Sequence, residues 1–194
     1  MTRRTPGHPA EQPALQRAQQ FADPFTRRLL THRGSTTALL EHHLGAPLAL
    51  RLVAQRVRRT GMEAAHLLPL LGPHADEPWL VRRTELRHGS HAAVSRNLVM
   101  GPLPRRADLC TILTSDTVPL GRALAEHRLP QRRRLLRVGR SPWRPLATSA
   151  AWRGYVVHVD DELPFYVEEF FHPAIAPARL RPAPQPEPAT AAAS

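Results

Sequence analysis

Residues 154–173 read GYVVHVDDELPFYVEEFFHP. Two runs of β-branched and aromatic residues flank an acidic break at Asp161–Glu162, the pattern of an antiparallel hairpin. A second pair lies upstream, where WLVRRTEL and AVSRNLVM are separated by a turn signal at His88–Gly89–Ser90. PLALRLVAQRVRR alternates Leu48, Leu50 and Leu52 against Ala49, Arg51 and Val53, and RRRLLRVG reads as a further strand. Strands that pair with their sequence neighbours need no crossover helices, so the sheet they build is antiparallel.

Helical signals fall early and in the middle. Asp23 as cap and Pro24 at the first position open DPFTRRLLTH. Ser35 caps a second helix with a stripe of Leu39, Leu40 and Leu44, and Gly45 stops it. LPRRADLCTILTSD is amphipathic, and VPLGRALAEHRL is a shorter helix. The combination predicts an α+β domain with an antiparallel sheet whose one face is covered by helices. Residues 1–22 are polar and carry three prolines, which predicts a flexible N-terminal tail or an ill-fixed helix. Residues 179–194 are Pro/Ala-rich and aperiodic and are expected to be disordered. The domain then runs from 23 to 178.

No apolar run approaches the ~18 residues that a membrane crossing needs, and no apolar stretch follows the basic residues at the N-terminus, so neither a span nor a secretory signal is expected. Cys110 is the lone cysteine, and no Cys/His spacing suggests zinc. A cytoplasmic, monomeric protein without metal is the expectation. The formal charge is +11, and all 27 basic residues are Arg. With abundant Ala, Pro and Leu, this reads as the codon bias of a GC-rich genome, so the charge is weak support for a nucleic-acid partner. Aromatics for base stacking are scarce, at 5%, and cluster in strands. The remaining consequence of the charge is a field that attracts anions.

The last strand puts Phe165, Val167, Glu169 and Phe171 on one face and Tyr166, Glu168, Phe170 and His172 on the other. Both faces carry an acid, so alternation does not choose between them, although Glu169 has the more uniformly apolar neighbours. Burial there would disfavour the charged form, the condition under which a carboxyl holds and delivers a proton. On WLVRRTEL, Arg82 shares a face with Leu80, Thr84 and Leu86, whereas Arg83 lies with Glu85 and Arg87. Arg96 alternates with Val94, Leu98 and Met100. Two arginines and a glutamate on an otherwise apolar face suit a pocket for a small carboxylate, which Arg grips bidentately. A structural ion pair between strands is the plainer account of the same residues.

Four stretches together resemble the chorismate lyase family: RGSTTALLE at an early helix start, LVRRTELRHG followed by AVSRNLVMGPLP as a central hairpin, VPLGRAL with Arg133 soon after, and EEFFHP at the close. The likeness runs from about Leu29 to Ala174. It implies an antiparallel six-stranded sheet with helices enclosing a buried ligand cavity, and elimination of pyruvate from chorismate to give 4-hydroxybenzoate without metal or organic cofactor. It implies Glu169 as general acid/base and Arg82 as the carboxylate grip. It also implies Thr36 and Leu120 as ligand-lining residues, with Arg96 and Arg133 in support. Glu168 departs from the family's small or hydroxyl residue before the glutamate, Thr36 from an apolar residue, and RSPWRPLATSAAWRG from its usual segment, which could form a different lid. A non-enzymatic ligand-sensing domain of the same fold is the alternative reading.

Overall fold

The computed structural model describes residues 11–59, 67–71, 78–89, 92–146, 148–159 and 164–182. Six strands form one antiparallel sheet: β1 (Ala49–Arg59), β2 (Pro78–His88), β3 (Ala92–Pro102), β4 (Gln131–Trp143), β5 (Thr148–Val159) and β6 (Phe165–Phe171). Their order across the sheet is β1-β2-β3-β6-β5-β4. The late hairpin therefore inserts beside β3, and β1 and β4 are the two edges. The α+β class and the antiparallel sheet match the sequence expectation. The turn expected at Asp161–Glu162 lies outside the described residues, as does Ser90 of the earlier turn.

Helices α1 (Gln12–Gln19), α2 (Pro24–Thr31), α3 (Thr36–Leu44), α5 (Ala107–Thr114) and α6 (Leu120–Glu126) contribute to the cluster on one face of the sheet. Leu29, Leu30, Leu40, Leu109 and Leu124 are almost fully buried there against Leu80, Val157 and Phe171. A smaller cluster on the opposite face joins Leu67 and Leu71, at the short α4 (Leu68–Leu71), to Trp79, Met100, Val156 and Tyr166. The local signals act as expected. Asp23 Oδ1 accepts the Thr26 amide at 2.7 Å, and Ser35 Oγ accepts the Ala38 amide at 3.3 Å. Gly45 ends α3 at φ +66°, a conformation that a side chain would strain.

Three expectations are corrected. Residues 12–19 are a helix rather than part of a tail, because Pro13 sits in the first turn, where no amide donor is required. Ala14 and Ala18, one turn apart, are buried and let the helix lie close to β4. Residues 179–182 do not begin a loose tail either. Leu180 bridges to Phe21, and the Ala22 amide donates to Arg179 O at 2.8 Å. The folded region thus extends at both ends beyond 23–178, while residues 1–10 and 183–194 lie outside the described residues. Finally, the segment read as a different lid is hairpin. β4 runs on to Trp143 and pairs with β5 down to Trp143↔Thr148.

Candidate functional site

In an antiparallel sheet, residues opposite one another point to the same side. Thr84 pairs with Asn97, Asn97 with Glu169, and Glu169 with Arg153, so one row of polar side chains crosses four strands on the helix-covered face. The next row holds Arg82, Val99, Val167 and Tyr155. Thr36 at the start of α3, Leu120 at the start of α6, and Arg133 from β4 close over this floor. The space between them is about 50 Å³.

Among the described residues lining this cavity Glu169 is the only acid, and it is buried. Its Oε2 accepts Arg153 Nε at 2.7 Å and the Thr36 hydroxyl at 3.1 Å. Arg153 is buried as well and donates from all three of its nitrogens. Nη1 reaches the carbonyls of Leu29 at 2.8 Å and His32 at 2.7 Å, and Nη2 reaches Thr36 Oγ1 at 2.7 Å. Burial opposes its charge, but Glu169 and Tyr155 outweigh that and hold its pKa above the ordinary arginine value. Burial, and then the Glu169 charge, push the Tyr155 phenol up to about 12 against the pull of Arg133 and Arg153.

Arg82 and Arg133 are different. Arg82 Nη1 donates to Gln55 Oε1 at 2.8 Å and Leu113 O at 3.1 Å, and Nη2 donates to Ser115 O. Arg133 Nη1 donates to Gly34 O at 2.6 Å, and its Nε and Nη2 share Gln131 Oε1. Neither is in an ion pair among the described residues. Burial lowers the Arg82 pKa, with partial compensation from the exposed Asp116. Three guanidiniums and one carboxylate therefore line or border the cavity, and among the described residues two of the cations donate to neutral oxygens alone. Such a site favours an anionic guest.

The structure brings together Glu169, Arg82, Thr36, Leu120 and Arg133. It does not bring Arg96 to them. Arg96 lies on the other face, with Nε 3.4 Å from Glu85 Oε1, Nη1 donating to Arg144 O at 2.8 Å, and its guanidinium 4.3 Å from the Trp143 ring centre. β2 and β3 pair without interruption from Arg82↔Val99 to Glu85↔Arg96, so Arg96 stands beside Glu85 on the face away from Arg82. Leu86 pairs with Ser95 and Arg87 with Ala93, so Val94 is the extra residue and turns inward. Its apparent alternation with Arg96, Leu98 and Met100 is therefore broken. Sequence reasoning also missed Arg153, Tyr155 and Asn97. For Arg153 a signal existed: Ala151, Arg153, Tyr155 and Val157 alternate, with one arginine on an apolar face.

Among the described residues no cluster of His, Cys, Asp or Glu could hold a metal ion, and no helix is long and apolar enough to cross a membrane.

The class of protein that these features define is an antiparallel α+β domain with a cationic cavity beneath its helices. No protein-family profile and no curated protein matches the chain. Among solved structures it is similar to YydK of Bacillus subtilis subsp. subtilis str. 168, described as a possible transcriptional regulator. That match has a TM-score of 0.46 at 10% identity over 70% of this chain and 62% of that one. It is also similar to the ligand-binding domain of a protein provisionally assigned to the GntR family of transcriptional regulators, from Bordetella bronchiseptica. There the TM-score is 0.47 at 14% identity over 71% of this chain and 91% of that one. The chain thus spans less than two thirds of the length of YydK.

Proposed function

We propose that the cavity binds a small dianionic carboxylate, and that the chain acts on chorismate, eliminating pyruvate to leave 4-hydroxybenzoate. The observation that carries this reading is the pair of buried guanidiniums, Arg82 and Arg133, which face the cavity without a carboxylate partner among the described residues. A dianion would supply the two missing charges, one for each arginine. The four-part sequence resemblance supplies the particular reaction.

In that reaction a ring carbon loses a proton, the carbon–oxygen bond to the enolpyruvyl group breaks, and the enolpyruvyl methylene gains a proton as pyruvate forms. Aromatisation provides the driving force, so the protein mainly orients the substrate and moves one proton. Arg82 and Arg133 hold the carboxylates and stabilise charge on the departing group. Glu169 carries the proton, through the oxygen that Arg153 and Thr36 leave uncommitted. Arg153 and Thr36 are positioning residues, because they hold the carboxylate from behind.

The cavity holds about four water-sized molecules as it stands. A ring-sized guest therefore needs the cavity to widen.

The test is incubation of the purified chain with chorismate, following pyruvate and the aromatic product together. Turnover above the uncatalysed rate is expected. Glu169→Gln, which keeps a carbonyl oxygen for Arg153 Nε, should lose at least about 100-fold in kcat while still binding 4-hydroxybenzoate. Wild-type turnover in that variant would remove Glu169 from the chemistry. The second reading is a ligand-binding domain without catalysis. It is favoured by the commitment of Glu169 Oε2 to two donors, the look of a structural ion pair. Thermal stabilisation by 4-hydroxybenzoate with no turnover of chorismate would select it.

A further inference from the structure

In the polar row on the sheet floor, Glu169 and Arg153 satisfy each other, but Asn97 does not share in their bonds. Asn97 Oδ1 is buried and has no hydrogen-bond partner among the described residues. Its neighbours across the strands are Thr84 on one side and Glu169 on the other, and all three line the cavity. Thr84, 6% exposed, also makes no side-chain hydrogen bond among the described residues. The neighbouring positions on this floor, Val99, Val167 and Leu86, are apolar. A purely structural row would place apolar residues at 84 and 97 too, since a buried acceptor without a donor is unfavourable.

We infer that Asn97, assisted by Thr84, reads a hydroxyl group on the ligand, so the class bound is a carboxylate whose ring carries an O–H and not a plain or alkyl-substituted ring carboxylate. This rests on the anion-binding reading of the cavity and adds a specificity element to it. Arg82 and Arg133 select charge. Asn97 selects the polar ring substituent, because an apolar group placed against it would leave the amide unsatisfied in a dry site. Asn97 is a specificity-determining residue in this assignment, and no proton passes through it.

The probes are benzoate, 3- and 4-hydroxybenzoate, and 3- and 4-methylbenzoate, titrated calorimetrically into the wild-type chain, Asn97→Leu and Asn97→Val. Far-UV circular dichroism and a thermal melt establish that each variant is folded. The valine variant suits a strand should the leucine one fail to fold. In the wild type, one hydroxybenzoate should bind about tenfold or more tightly than its methyl counterpart. In the Asn97 variants that ratio should fall to near one. Equal binding of hydroxyl and methyl probes to wild type, or a ratio that survives both substitutions, would overturn the inference and leave the anion pocket standing. Failure of every probe to bind the wild type would remove the pocket reading itself, and the role of Asn97 with it.

Discussion

Arg153 shows how a single residue decides what Glu169 can do. Read along β6, Glu169 is an isolated acid on an apolar face. In the folded chain it is half of a buried ion pair whose cation is held in turn by the carbonyls of Leu29 and His32. Removing one partner of such a pair leaves the other charged group buried without compensation. Arg153→Ala should therefore cost about 3–5 kcal/mol of stability, read from urea unfolding. A loss below about 1 kcal/mol would mean that the pair is replaced by water and contributes little. The tyrosines give a second residue-scale expectation. Burial, then a nearby carboxylate, raises both: Tyr155 to about 12 beside Glu169, and Tyr166, whose hydroxyl donates to Glu168 Oε1 at 2.9 Å. Their ordinary value is 10.0. Their contribution to stability is therefore complete below pH 10 and is lost as pH rises towards the folded values. At pH 10.5 the native chain should show almost no tyrosinate absorbance at about 295 nm, while the chain in urea shows most of it.

Elements were more legible than their faces. Helix caps at Asp23 and Ser35, the Gly45 stop and the pairing of β2 with β3 and of β5 with β6 followed from local signals. The bulges did not. Register shifts at Val53, Val94 and Leu136 each reverse the face of everything beyond them, and no turn or breaker residue marks them. The bulge at Val94 turns that residue to the helices while Arg96, Leu98 and Met100 face away. The faces of β5 and β6 carry a further constraint at Gly154, which pairs with Glu168 and lies under Tyr166. A Cβ there would strike the Tyr166 hydroxyl and stand 3.0 Å from its Cζ. Gly154→Ala should thus cost about 1–3 kcal/mol by thermal denaturation, and adding Tyr166→Phe should recover part of the loss. A neutral Gly154→Ala would mean that the ring moves aside freely.

At the scale of the molecule, α1 packs beside β4, and residues 179–181 pair with the stretch that follows α1. Glu11, just before α1, accepts the Leu135 amide at 2.9 Å and pairs with Arg33 at 2.7 Å, and Phe21 is buried against Leu180. The arginines also set how the whole molecule responds to pH. His32, His158 and His172 are all lowered from 6.5, in each case first by burial. The arginines that add to it are Arg153, Arg133 and Arg28 for His32, Arg132 and Arg134 for His158, and Arg96 for His172. A histidine held neutral in the fold but free to protonate when unfolded gives stability that is complete above pH 6.5. That stability is lost as pH falls through the depressed folded value. Urea midpoints should therefore drop between pH 7.5 and pH 5, and a flat profile across that window would contradict the half-buried, arginine-facing placement of these rings.

Local order was enough for the class, the caps and stops of the helices and the hairpin pairings, and it favoured Arg82 over Arg83 as the inward arginine, but it did not choose between Glu168 and Glu169. All of these depend on neighbours within a few residues, through period, turn chemistry and steric limits on the backbone. Only the folded chain shows that Arg153 neutralises Glu169, that Arg96 belongs to the far face, and that α1 belongs to the domain. Each of those facts joins parts of the chain far apart in sequence. They are fixed by which strand lies beside which and by single-residue bulges, and residue order alone does not encode those in any local pattern.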